Sequence, residues 1–167
     1  MTIIAANFEV RLSGGAGNAN PNASLGGAIS TTAYSSATDG LFDAVSAAEA
    51  SAGLIEFRCI YLRNGNASTQ MTAARVWIQS NTPNAQTQLA IGVGTSAVNG
   101  TEQTIANETT PPTSVTFSEP ATAATGLALG NIPAGQHRAI WLRRTINAGA
   151  PAIASDAVTL GFDAETT

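Results

Sequence analysis

Alternation of hydrophobic and polar residues with a period of two dominates this chain and predicts strands. Over 8–12, Phe8, Val10 and Leu12 alternate with Glu9 and Arg11. Over 54–63, Ile55, Phe57, Cys59 and Tyr61 share one face, and Glu56, Arg58, Ile60 and Leu62 the other. Further strands are predicted at 71–79, 88–93, 113–118, 136–146 and 157–162, with a weaker one at 28–34. Turn formers separate them: Gly14-Gly15-Ala16-Gly17-Asn18, Asn20-Pro21-Asn22, Asn64-Gly65-Asn66, Asn81-Thr82-Pro83-Asn84 and Ile132-Pro133-Ala134-Gly135. One short helix is predicted at about 41–51. There Leu41, Phe42, Val45 and Ala48 fall on one face, Asp39 caps the start, Asp43 sits in the first turn and Gly53 ends it.

About eight strands at short spacing with one helix predict an all-β fold, a single antiparallel β-sandwich or jelly roll. A βαβ fold would need several helices. The 167 residues suit one domain with one sizeable core. It covers 1–167, with 1–7 as an N-terminal arm and 163–167 as a frayed tail.

Composition adds a surface to this picture. Only 11% of residues are charged, against roughly 25% in an ordinary soluble domain. Ala, Thr, Ser, Asn and Gly fill the gap, and such surfaces lose little on being buried against a partner. All seven basic residues are Arg, which tolerates burial at interfaces better than Lys. A GC-rich genome produces the same bias, and the sequence does not separate the two. The net charge of −4 argues against a non-specific nucleic-acid binder. The N-terminus has neither the basic start nor the apolar run of a signal peptide, and no stretch reaches the length of a membrane span.

Candidate chemistry is sparse. His137, the only histidine, opens a strand with no Gly-x-Ser-x-Gly elbow anywhere in the chain. Cys59, the only cysteine, lies mid-strand on an apolar face and reads as a small buried hydrophobe. One Cys and one His do not make a zinc site. Asp39 and Asp43 lack the further acids of a calcium loop. The Gly14 to Gly17 run lacks both nucleotide fingerprints and reads as a flexible or interface-forming loop. The expectation is therefore no enzyme, no metal and no cofactor. Binding candidates are Arg11, Gly14, Gly15, Asn18, Asn20, Asn22, Arg75, Arg138, Arg143 and Arg144, since Arg and Trp often dominate interfaces. Trp77 and Trp141 are expected in the core.

The runs Leu12-Ser13-Gly14-Gly15-Ala16 and Asn20-Pro21-Asn22-Ala23-Ser24-Leu25-Gly26-Gly27 resemble those of small structural proteins of tailed bacteriophages. So do Leu41-Phe42-Asp43-Ala44-Val45, Glu56-Phe57-Arg58-Cys59-Ile60-Tyr61, Thr104-Ile105-Ala106-Asn107-Glu108 and the stretch from Ile132-Pro133-Ala134-Gly135-Gln136 to Trp141-Leu142-Arg143-Arg144. The resemblance spans most of the chain. It implies a virion protein made in the host cytoplasm, foremost a capsid decoration (cement) protein. Its partners would be the major capsid protein and copies of itself, as a dimer or trimer, with no nucleic acid and no membrane. A tail, neck or baseplate protein is the alternative, and a carbohydrate- or receptor-binding module a second one. The loop 14–27 and the arm 1–7 are the expected contact segments.

Overall fold

The computed structural model describes residues 2–34, 40–152 and 156–166. The longest alternating segments form its centre. β3 (Leu54–Asn64) pairs antiparallel with β8 (His137–Ile146), in register from Leu54 opposite Ile146 to Arg63 opposite His137. β1 (Phe8–Leu12) joins the free side of β3 and β5 (Thr87–Val93) that of β8, giving a sheet of order β1-β3-β8-β5. A second sheet has the order β7-β4-β9, from β4 (Met71–Ser80), β7 (Leu127–Ile132) and β9 (Thr159–Glu165). A ribbon of β2 (Gly26–Gly27) and β6 (Glu102–Thr104) is the third. The fold is thus all-β, but among the described residues its strands divide into three separate sheets of four, three and two, none closed into a barrel. The expected single β-sandwich or jelly roll is not formed.

The reason lies in the two faces of the β3–β8 pair. Ile60, Leu62, Ile140 and Leu142, with Leu89 and Ile91 of β5, share a core with Met71, Ala74, Val76, Ile78, Leu129 and Ile132 of the three-stranded sheet. On the opposite face, Phe57, Cys59, Tyr61, Ala139 and Trp141 form a second cluster with Ile105, packed against Leu25, Ile29, Val115 and Phe117. Alternation predicts one dry and one wet face. Here both are dry, because irregular segments and the short ribbon cover the second. Those segments carry no strand-length pattern, so neither β2, β6 nor β7 is predicted from sequence.

Both edges of the four-stranded sheet are blocked by the chain itself, which removes templates for pairing with another chain. Segment 30–34 lines β1 through Ser30 N–H to Leu12 O at 2.9 Å and Tyr34 N–H to Val10 O at 2.9 Å. It forms a single bridge, Arg11 to Ala33, where a weak strand was expected. Ile91 of β5 and Ser118 exchange two bonds of 2.9 Å, and Asn81 gives one and takes one from the backbone of Leu89, both at 3.1 Å. The strand expected at 113–118 is reduced to that bridge at Ser118.

Other expectations also change. The helix α1 spans Ala47–Ala52 and starts where Ser46 and Glu49 cap each other reciprocally. Leu41 enters the core from irregular backbone ahead of it. Gly53 ends the helix as expected, at φ +82°, and the proposed cap Asp39 lies outside the described residues. Asp163 to Glu165 extend β9 and are not frayed, while Thr167 is outside the described residues. Asn64 does not turn a hairpin. Its buried amide donates to Thr69 O and Ile132 O, both at 2.9 Å, fastening the crossing from one sheet to the other. Trp141 is fully buried, but Trp77 is half-buried on the outer side of β4, lying against Gly161 where a Cβ would come within 2.2 Å of its ring. No helix among the described residues is long and apolar enough to cross a membrane.

Ile140 and Trp141 are sequence neighbours on opposite faces of β8. Truncation of either to Ala is expected to be costly: about 2–5 kcal/mol for Ile140→Ala and about 3–5 kcal/mol for Trp141→Ala in urea unfolding. A sheet with one solvated face would make one of the two nearly neutral.

Candidate functional site

The largest departure from a plain apolar core is a group of charges at one end of the β3–β8 face. Glu56 of β3 and Arg144 of β8 are direct cross-strand partners, and Arg58 follows Glu56 on the same face. Glu56 is 1% exposed and Arg58 not at all. Arg144 Nε donates to Glu56 Oε2 at 2.7 Å, and its Nη2 pairs with the same oxygen. Arg58 Nη2 donates to Glu108 Oε2 at 2.5 Å and to Asn22 Oδ1 at 3.3 Å. Asp43 Oδ1 lies 3.7 Å from Arg58 Nη2 and 3.6 Å from Arg144 Nη2. The Phe42 ring lies against both guanidiniums, with their Cζ atoms 5.4 and 4.8 Å from its centroid. The network thus ties Asn22, the Phe42-Asp43 segment and Glu108 to the central strands.

The three carboxylates of Asp43, Glu56 and Glu108 place an oxygen each within 4.8 Å of one another, the spacing of a cation site. Two guanidiniums already occupy them. Three negative and two positive charges leave a net −1, and a divalent ion would sit beside two fixed cations, each repelling a single charge at 4 Å by about 4 kcal/mol near a surface. The arrangement is a compensated ion-pair network. Burial raises the Glu56 carboxyl above its ordinary range, Arg144 opposes that rise, and the neighbouring Glu108 and Asp43 charges add to it.

Beside the network lies a cleft of about 360 Å³ lined by Asn20, Pro21, Asn22, Phe42 and Asp43. Asn20 Oδ1 is bonded to Asn22 N–H at 3.0 Å, and the Asp43 side chain is half exposed. The structure therefore brings together three of the sequence-predicted residues, Asn20, Asn22 and Arg144. The others are dispersed. Arg11 pairs with Glu9 at 2.7 Å. Gly14, Gly15 and Asn18 belong to a folded loop, not a flexible one: Gly15 N–H donates to Ala28 O at 2.9 Å and Asn18 Nδ2 to Ser13 O at 2.6 Å. Gly14 takes φ +98°, and a Cβ there would strike Ala23 O at 2.7 Å. Arg75 donates to Ala124 O at 3.2 Å, and Arg138 to the carbonyls of Ser96 and Gly94. Arg143 stands apart, with no hydrogen bond or ion pair among the described residues; its guanidinium lies 5.2 Å from the centre of the Phe117 ring.

Sequence reasoning missed Glu56, Arg58, Glu108 and the true role of Asp43. One signal was available: Glu56 and Arg58 stand at the even positions that become core at Ile60 and Leu62. The remaining reactive groups are engaged structurally. Cys59 is fully buried, which pushes its thiol well above the usual range. His137 meets the Tyr61 ring edge-on at 4.9 Å, and its Nε2 lies 3.3 Å from Gly100 O; burial lowers its pKa. Tyr61 donates to Gly27 O at 2.5 Å and accepts from Glu102 N–H at 3.0 Å. For the Glu102 carboxylate, burial acts to raise the pKa, but hydrogen bonds from Ser96 and Thr95 outweigh it and hold it at about 2. No family model, curated protein or solved structure matches the chain.

Arg144→Ala strips Glu56 of its guanidinium and is expected to cost about 3–5 kcal/mol in chemical denaturation. Glu102 has the opposite sign to Glu56 in acid. Its folded pKa is depressed, so its contribution is complete above the unfolded value of about 4.3 and fades as pH falls toward 2. Unfolding curves across that window are expected to show this loss in the parent and a flatter profile in Glu102→Gln. The raised Glu56 acts at higher pH: its destabilisation is relieved as pH falls through its folded pKa to the unfolded value, before the Glu102 loss begins.

Proposed function

We propose that this chain is a structural protein of a tailed-phage virion, a capsid decoration protein that binds the major capsid protein and copies of itself. The observation that carries this reading is the fate of its charges. Arg58, Arg144, Glu56, Asp43 and Glu108 are spent on fastening loops to the central sheet, which makes a rigid block with a surface of mostly small, neutral side chains. Such a body suits wide, dry contact with neighbours better than turnover of a substrate. The likeness to phage structural proteins in the runs from Leu12 to Gly27 and from Ile132 to Arg144 supports the same reading. The chain would be made in the host cytoplasm and reside in the virion. Tail, neck or baseplate placement is the alternative within this class.

One observation favours a second reading, a carbohydrate- or receptor-binding module. The cleft between Asn20-Pro21-Asn22 and Phe42-Asp43 combines amides, a carboxylate and an aromatic ring, the groups that bind hydroxylated ligands.

Cryo-electron microscopy of virions is expected to show the chain on the capsid shell in hundreds of copies. Density confined to the tail, at tens of copies or fewer, overturns the decoration reading. A glycan array with the purified protein is expected to be blank; binding that Asn22→Ala and Asp43→Ala abolish would favour the second reading.

A further inference from the structure

Among the seven arginines, six have hydrogen-bond or ion-pair partners: Arg11 and Arg63 on Glu9, Arg58 and Arg144 in the buried network, Arg75 and Arg138 on backbone carbonyls. Arg143 has none among the described residues, and its buried Nε is left without an acceptor. The Nε atoms of Arg58 and Arg138 are buried in the same way, so what sets Arg143 apart is that none of its guanidinium nitrogens has a hydrogen-bond or ion-pair partner among the described residues. Arg143 lies opposite Phe57 in the sheet and stacks on Phe117, which itself meets Phe57 at 5.5 Å between ring centres. Ile55, two residues before Phe57 on the same face, is 48% exposed. The result is a cation on an aromatic bed with an apolar rim, on the face of the four-stranded sheet that points away from the three-stranded one.

The complementary feature is on the far side of the same molecule. Ala74, Val76 and Ile78 of β4 face the shared core, so Arg75 and, on β9, the exposed Asp163 and Glu165 face outward. They line a cleft of about 280 Å³ with Ala123 and Ala124. Arg75 spends its Nη1 on the Ala123 and Ala124 carbonyls, and neither acid has an ion pair among the described residues. Two carboxylates and one guanidinium leave this cleft with a net −1.

We propose that Arg143, stacked on Phe117 in one copy, pairs with the Asp163–Glu165 cleft of the next, making a head-to-tail contact between copies of this chain. The two features lie on opposite outer faces of the stacked sheets, so no copy can satisfy itself. A contact between unlike surfaces repeats from copy to copy, and closes into a ring or continues as an array according to its rotation. The carboxylates take the terminal Nη donors of Arg143, which have no hydrogen bond among the described residues. This deepens the self-association part of the proposed function and rests on it, but not on binding to a capsid.

The test is sedimentation velocity of the purified full chain over a concentration series, with circular dichroism to confirm folding. The parent is expected to self-associate, more weakly as salt rises. Arg143→Gln and the double change Asp163→Asn/Glu165→Gln are each expected to weaken association by roughly tenfold or more, a modest value for a desolvated charge pair. The triple variant is expected to be little worse than either, because both changes remove one contact. Additive losses, or association unchanged in Arg143→Gln, overturn this contact while leaving self-association standing. A parent that stays monomeric throughout overturns both, and co-sedimentation with capsids then reports separately on the decoration reading. If Arg143→Gln does not fold, Asp163→Asn/Glu165→Gln on the exposed strand carries the same decision.

Discussion

The β3–β8 ladder is the constraint on which the rest of this molecule depends. It runs ten residues on each strand, and its central stretch, 56–62 on one strand and 139–142 on the other, is buried on both faces. A strand pair dry on both faces must be covered twice. The three-stranded sheet supplies one cover through Met71, Val76, Ile78 and Ile132, and loops with the small ribbon supply the other through Leu25, Ile29, Ile105, Val115 and Phe117. Three sheets are the consequence: no single pair of layers can bury both sides of a central sheet.

The second cover is irregular chain, so its backbone polar groups need partners of their own. Cys59 N–H donates to Ser24 O and Phe57 N–H to Glu108 O, both at 2.7 Å, on the stretch of β3 that β1 does not reach. The ion network does the same with side chains at that end. Arg58 holds Asn22 and Glu108, and Arg144 holds Glu56 and the Asp43 carbonyl. Buried ion pairs are seldom a large source of net stability, because desolvating both members offsets most of their attraction. Their effect here is to fix where three loops lie, which a purely apolar contact would leave free to slide.

These commitments shape what remains for other molecules. Most guanidiniums and the buried carboxylates are used internally, and the four-stranded sheet has its edges closed by Ser30 to Tyr34, Asn81 and Ser118. The exceptions are few and separable in space: Arg143 on one outer face, the acids of β9 on the other, and the cleft beside Asn22 and Asp43. A surface otherwise poor in charge gives such exceptions weight, because little else on it competes for a charged partner.

The sequence by itself determined the strands that alternate strongly. The segments 8–12, 54–63, 71–79, 88–93 and 136–146 all appear within a residue or so at either end, because their periodicity is local and needs no partner. It also determined the all-β class and the stop at Gly53. Tertiary structure alone decided how strands divide among sheets, since alternation marks which residues share a face but not what covers it. Glu56 and Arg58 show this most clearly: as letters in a strand they look solvent-facing, and only the arrival of Arg144 across the ladder and Glu108 from a distant loop makes them interior. Arg143 is the converse case. Composition marked it as one interface candidate among ten, and only the pairing of its six fellow arginines left it as the one with no hydrogen-bond or ion-pair partner for its guanidinium among the described residues.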